Sequence, residues 1–424
     1  MKITFYANAC CVYECDGFRL LSDPWIIDGA FEGAWYHYPP LSTKPEDLKN
    51  VDALYLSHLH PDHFDPKTLP VFRRDIPIVI LRREKNYLEK LLRKMKFSNI
   101  LLIEDGASTT LGPFNLTMYG PFETHVFYDA SIGYHIDSAL VVDDGKHVVL
   151  NANDNRPSER SAHELKERHP NIMVAQLMYA GASPYPSCFN NLTDDEKLRE
   201  HDGVVERSLA HMVKIAKILE PDFVMPFAGE FVLGGKGWRK NRFLGTTTPE
   251  NAGQFAKIHG LSPLLLNEGM SFDLESGKTI GTYVPVDTFV RDRYIEEVIS
   301  KERYPFEDDC LKDSSWFHEI LPFARAHLWN AQQRYRYFPD LCLYLSVRDE
   351  YFVIDWEKEE GFFIKRNEFR EPFITYSLPL TLLQRIMTRQ AHWNNAELGC
   401  HVDFIRQPNK YLPDMHALIS FFHA

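Results

Sequence analysis

The chain has 424 residues, 44% of them hydrophobic and 25% charged, enough for a sizeable core and two domains. Its formal net charge of −12 excludes a general nucleic-acid binder, which needs a basic face against phosphate. No apolar run reaches 18 residues, and the start Met1-Lys2-Ile3-Thr4-Phe5-Tyr6 lacks an apolar stretch before a small-residue cleavage site, so the expectation is a soluble cytoplasmic protein with no membrane partner.

Residues 2–6, 12–15 and 18–22 have strand composition, and Asp16-Gly17 is a hairpin turn between the last two. The seven cysteines, Cys10, Cys11, Cys15, Cys188, Cys310, Cys342 and Cys400, are odd in number and never spaced C-x-x-C. A disulfide framework or a Cys-only zinc site is not expected, and a reducing compartment is. Asp23-Pro24 closes the third strand. Residues 29–40 are aromatic and rich in Gly and Pro, which predicts an irregular loop, with Trp35 a candidate substrate wall and His37 a plain loop histidine.

The apolar run 51–56 reads as a buried strand and leads into Ser57-His58-Leu59-His60-Pro61-Asp62-His63-Phe64-Asp65. Imidazoles at i and i+2 of an extended segment point the same way. A turn at Pro61 lets Asp62 and His63 face a second point close by. His58 and His60 are therefore candidate ligands for one metal ion, and Asp62 and His63 for another. Imidazole with carboxylate suits zinc, iron or manganese rather than calcium or magnesium.

Further on, 78–81 is a strand with Pro77 at its entrance, 84–96 a helix carrying Leu88, Leu91, Leu92 and Met95 on one face, and 100–103 and 116–119 are strands. This alternation indicates an α/β domain. Residues 138–142 and 147–151 form a strand pair about a turn at 143–146, and Asp154 follows the second strand where a carboxylate can reach two metals. Arg156, beside it, is a candidate substrate contact. A strand at 171–177 leads to Ser183 and Tyr185, also candidate substrate contacts. A helix at 201–219 and a strand at 223–225 precede Pro226-Phe227-Ala228-Gly229-Glu230-Phe231. The basic, Gly-rich stretch 234–242, with Arg239, could receive an anionic group. After a strand at 270–274 and a turn at 275–278 come helices at 290–303 and 314–334, a hairpin of 341–347 and 351–356, a helix at 381–389, and a segment at 394–399 before one more strand.

H-x-H-x-D-H at 58–63 resembles the signature of the metallo-β-lactamase fold. The resemblance implies an αββα sandwich over residues 1–280, followed by a smaller α+β domain over 281–424. It implies one more ligand for the first metal: His135, nineteen residues before Asp154, or Asp129, where oxygen-activating members carry a carboxylate, with Glu123 and His125 behind both. Hydrolases of this fold supply a last histidine where this chain has Ala228 or, one loop later, Gly245 or Thr246. Its absence leaves the second metal more open, with Glu230 an oxygen donor, and Asp62, Asp154 and Glu230 as the catalytic carboxylates.

The segments 57–64, 154–157, 180–186 and 226–231 together resemble the non-Rieske part of the CMP-N-acetylneuraminic acid hydroxylase family, over about residues 1–280 and again near 393–422. That resemblance implies a dioxygen-dependent hydroxylase of a small anionic or sugar-like substrate, using two iron ions. Two zinc or manganese ions in the same cage imply instead a hydrolase of a lactone, phosphodiester or amide. The paired Cys and His ligands of a Rieske cluster are absent from this sequence, which calls for a separate electron donor. The second domain resembles a sterol-carrier-type α+β unit, a candidate pocket lid or homodimer face.

Overall fold

In Lys2–Ala7 every second residue is apolar and buried, so Ile3, Phe5 and Ala7 share one face. The computed structural model describes residues 1–122, 136–365 and 368–424. Lys2–Ala7 lies inside an eight-stranded sheet whose order is Lys278–Ile280, Ser271–Asp273, Lys2–Ala7, Cys10–Cys15, Phe18–Ser22, Ala53–Tyr55, Ile78–Leu81 and Ile100–Ile103. Pairing is antiparallel as far as Phe18–Ser22 and parallel from there to Ile100–Ile103. A six-stranded sheet runs Phe223–Phe227, Ile172–Met178, Val148–Asn153, Ala139–Asp143, Phe114–Tyr119 and Ser108–Leu111.

The two sheets pack face to face. Phe5, Tyr13, Tyr55 and Val79 of the first meet Leu116, Leu140, Val174 and Phe227 of the second in one buried cluster. The outer face of the second sheet is covered by helices Glu159–Arg168, Asp194–Leu219 and Pro249–Ile258, that of the first by Tyr87–Lys94 through Leu88 and Leu92. This is the expected αββα sandwich.

Three local readings change. The helix expected from 201 begins at Asp194, because Thr193 and Glu196 form a reciprocal capping box that fixes its first turn. Residues 29–40 are not wholly irregular: Ala30–Gly33 makes a short helical turn, and Trp35–Tyr36 pairs with Val232–Leu233. The stretch expected as a loop at 234–242 is wound as a 3₁₀ helix, Gly235–Phe243.

Beyond the sandwich, helix Ser314–Tyr335 packs on a five-stranded sheet ordered Phe362–Ile364, Glu350–Asp355, Cys342–Val347, Phe373–Ser377 and Asp403–Gln407. Its core is continuous with the sandwich: Trp25, Phe31, Trp35 and Phe231 belong to the same buried cluster as Phe317, Leu345, Trp393 and Phe404. The chain at Cys188 and Asn190 also bonds the backbone of Phe404. Among the described residues, no helix is long and apolar enough to cross a membrane.

Candidate metal centre and its surroundings

Three strands place the centre. Phe18–Ser22 ends at Asp23, Ala53–Tyr55 runs on to Ser57 and His58, and Val148–Asn153 ends at Asp154. The first two strands are parallel neighbours, so Asp23 and Ser57 emerge side by side. Ser57 N donates to Asp23 Oδ1 at 2.8 Å, and Ser57 Oγ donates to Asp23 Oδ2 at 2.7 Å. The chain turns after His60, whose carbonyl accepts from His63 N and Phe64 N, and this brings Asp62 and His63 back toward His58.

The side chains form two groups that could each hold a cation: His58, His60 and Asp154, and Asp62, His63 and Asp154. Asp154 is common to both. His58 Nε2 lies 3.8 Å and His63 Nε2 3.5 Å from Asp154 Oδ2. Asn8 Nδ2 donates to Asp62 Oδ2 at 3.0 Å and anchors that carboxylate.

The hydrogen bonds behind the imidazoles decide which nitrogens face inward. Ser57 Oγ, already donating to Asp23, accepts from His58 Nδ1 at 2.9 Å, which leaves the lone pair on His58 Nε2. His60 Nε2 donates to Asn394 Oδ1 at 3.0 Å, which leaves the lone pair on His60 Nδ1. These two inward nitrogens face each other at 2.9 Å. Two lone pairs at that separation repel unless a cation sits between or beside them. In the second group, His63 Nε2 and Asp62 Oδ1 are buried with no hydrogen-bond partner among the described residues. Such orphaned atoms in a native core are costly, and a cation between them would satisfy both. The donor set therefore fits metal ions.

Charge balance agrees. Burial, followed by the neighbouring His63 and His60, pushes His58 well below the usual imidazole range, so it is neutral as a ligand must be. At His63 burial acts the same way, yet Asp62, Asp154 and Asp23 outweigh it and hold the ring well above that range. Three carboxylates around one imidazole are an excess of negative charge that a divalent ion would neutralise.

Two contributions could not be read from the signature. Asp137 Oδ1 lies 3.9 Å from His58 Nε2, just before strand Ala139–Asp143. Asn394, from helix Trp393–Leu398, reaches the centre from the C-terminal unit and fixes His60, while the half-buried His392 caps that helix by accepting from Asn394 N. Partners behind metal-bound histidines typically tune affinity by 10–100-fold. Replacing Asn394 with Ala is expected to weaken metal at the His58/His60 centre about tenfold, whereas Asp, which keeps the acceptor, should not. Competition with a chromogenic chelator reads both.

The other expected residues are scattered. Arg156 is largely buried, which lowers its pKa, while Asp154 acts in the opposite direction. Trp35 is 3% exposed, stacked on Phe231 with ring centroids 3.4 Å apart, so it is a core residue with no face left for a ligand. Ser183 Oγ accepts from Tyr185 N, Tyr185 lies under Arg406, and neither belongs to the two donor groups. Arg239 stacks on Trp238 and lines a cavity of about 810 Å³ with Arg242 and Arg291. His135, Asp129, Glu123 and His125 lie outside the described residues.

Glu230 is not among the grouped donors but lines a cavity of about 520 Å³ with Tyr179 and Tyr283. Burial and the adjacent Glu250 push its carboxyl from the ordinary 4.5 up to about 8. A carboxyl whose folded pKa is raised contributes stability that is present below about 4.5 and lost as pH climbs to about 8. Gln mimics the neutral form. Glu230→Gln is therefore expected to match the parent in thermal melts at pH 4.5 and to exceed it by up to about 4 kcal/mol at pH 8.

The Beta-lactamase superfamily domain matches residues 2–138, which make up the first part of the αββα sandwich. A putative Rieske 2Fe-2S iron-sulfur protein of Mycolicibacterium smegmatis is 34% identical over 45% of this chain and 36% of its own length. The cytidine monophosphate-N-acetylneuraminic acid hydroxylase of Xenopus laevis is 24% identical over 97% of this chain and 70% of its own. The chain thus spans about a third of the first relative and more than two thirds of the second. Among solved structures, CmlA, a diiron beta-hydroxylase from Streptomyces venezuelae, is similar at 17% identity, TM-score 0.45, over 66% of this chain and 54% of that one. A protein of Veillonella parvula described as a possible metal-dependent hydrolase is similar at 15% identity, TM-score 0.46, over 64% of this chain and 98% of that one.

Proposed function

We propose that the protein is a dioxygen-dependent hydroxylase of a small polar substrate, using two iron ions held by His58, His60, Asp62, His63 and Asp154. The observation that carries this reading is the likeness to a hydroxylase through 97% of the chain, past the metal-binding domain and into the unit that supplies Asn394. The single carboxylate common to both donor groups supports a paired centre. A pair of iron ions there supplies electrons to dioxygen, whereas zinc in the same ligands acidifies a water and gives a hydrolase.

The residues divide the work. His58 and His60 present neutral lone pairs because Ser57 and Asn394 take their other nitrogens. Asp62 is held by Asn8 and His63 by Asp23, so both ligands are fixed before any metal arrives. Arg156, beside Asp154, offers a guanidinium to an anionic substrate group at the half-buried mouth of the site. Electrons come from a separate donor protein, and the unit from 281 to 424 closes one wall through Asn394.

Elemental analysis of protein purified without added metal, with optical spectra in air and after anaerobic reduction, tests the proposal. About two irons per chain and a spectrum that responds to reduction and oxygen support it. Stoichiometric zinc that persists in iron-replete cells overturns it in favour of the hydrolase.

A further inference from the structure

We propose that the cavity lined by Tyr179, Glu230, Glu250-bonded Tyr283, Phe5 and Phe231 is a binding site for the ammonium group of a small organic amine. The cavity measures about 520 Å³, within the size range of small-molecule sites, and none of its lining residues belongs to the two metal-donor groups. It abuts the centre through Ala7, next to the Asn8 that anchors Asp62, and through Gly229, next to the Ala228 that bonds Asn8.

One buried side chain of its lining has an unpaired polar atom. Tyr179 is 1% exposed, and its hydroxyl has no partner among the described residues. Behind this wall Glu250, held low by Tyr283 and Thr248, accepts from Tyr283 Oη at 2.7 Å and Val286 N at 2.8 Å, both on Oε1. Tyr179 cannot retreat, because it is packed on Gly229, where a Cβ would come within 2.9 Å of its ring. A buried hydroxyl left unpaired costs free energy, so a geometry that holds it unpaired calls for a ligand.

The chemistry of that ligand follows from charge and donor count. The lining holds Glu230, Glu268 and Asp287 against a single arginine, Arg291, which is already paired with Asp292. An anion is disfavoured. An ammonium is compact, carries three donors and no acceptor, and gains from the aromatic walls. Because Glu230 is pushed up to about 8 while Glu250 is lowered, the carboxyl pair carries one negative charge at neutral pH, the match for a monocation. Phe5, Phe231 and Met270 leave room for an apolar body on the amine.

The proposal stands whichever metal the centre holds, and the test keeps the two apart. Calorimetric titration of the full chain compares benzylamine, benzyl alcohol and benzoate, with the metal present and after chelation. Benzylamine is expected to bind at about millimolar Kd or tighter and at least about tenfold more tightly than the alcohol, with no binding of benzoate. Its affinity should be the same after chelation. Tyr179→Phe, which removes only the unpaired hydroxyl, and Glu250→Gln should each weaken it about tenfold without lowering the melting temperature. Equal binding of amine and alcohol, indifference to both variants, or binding lost on chelation, which places the amine on the metal, each overturns the proposal.

Discussion

Replacing Asp154 with alanine is expected to empty both metal positions at once and to lower turnover by at least about a thousandfold, while the protein stays folded. Asp154 is the one donor shared by the two groups, and its Oδ2 lies 3.8 Å from His58 Nε2 and 3.5 Å from His63 Nε2. Removing a ligand that serves one ion leaves the other intact. Removing one that serves both also removes the charge that holds two cations near each other. The fold should tolerate the change, because the Asp154 side chain is 27% exposed and Asp23 and Asp62 remain against the buried His63. Metal content by elemental analysis, compared with His58→Ala, makes the distinction. His58→Ala should keep the Asp62/His63 ion. If Asp154→Ala retains both metals and turnover, the paired centre is misassigned.

What the sequence made legible follows from contact range. His58, His60, Asp62 and His63 fall within six positions after an apolar strand, so the geometry that joins them is local. Asp154 was legible because a carboxylate at a strand end in this fold has few other places to point. Asn394 was not: it sits 334 residues from His60, and nothing in its own helix indicates that its amide turns toward a distant imidazole. Asp23-Pro24 reads equally well as a strand-ending turn, and only the pairing of Phe18–Ser22 with Ala53–Tyr55 sets it against Ser57. Some elements escaped for want of a pattern. Helix Glu159–Arg168 buries only Ser161, Ala162 and Leu165 among charged residues, and strand Lys278–Ile280 is exposed throughout, so neither shows hydrophobic periodicity. Strand Phe373–Ser377 has no readable pattern although Ile374, Thr375 and Tyr376 are buried, because the six residues between Pro372 and Pro379 leave too short a window. The cavity at Tyr179 and Glu230 is assembled from seven separated stretches of chain and has no local signature.

Asp23→Asn should give the sharpest separation of folding from metal binding. Asp23 is fully buried and receives three hydrogen bonds: Ser57 N on Oδ1, and Ser57 Oγ and His63 Nδ1 on Oδ2, the last at 2.9 Å. Because His63 donates from Nδ1, its Nε2 carries the lone pair that faces Asp62 and Asp154. An asparagine fills the same volume and keeps its carbonyl on Ser57 N, but its amide nitrogen then stands where Oδ2 was. That nitrogen only donates. His63 must accept on Nδ1 and move its proton to Nε2, which points an N–H at the metal position. The second metal should therefore bind about 100-fold more weakly, the upper end for a residue behind a ligand, while the His58/His60 metal changes far less. Asp23→Ala is the contrasting case. It leaves Ser57 N and His63 Nδ1 buried without an acceptor and should cost about 3 kcal/mol of stability as well. Chelator competition on the two variants, beside thermal melts, separates the outcomes. If Asp23→Asn loses stability as Asp23→Ala does, or keeps parental affinity at the second position, His63 does not ligate through Nε2.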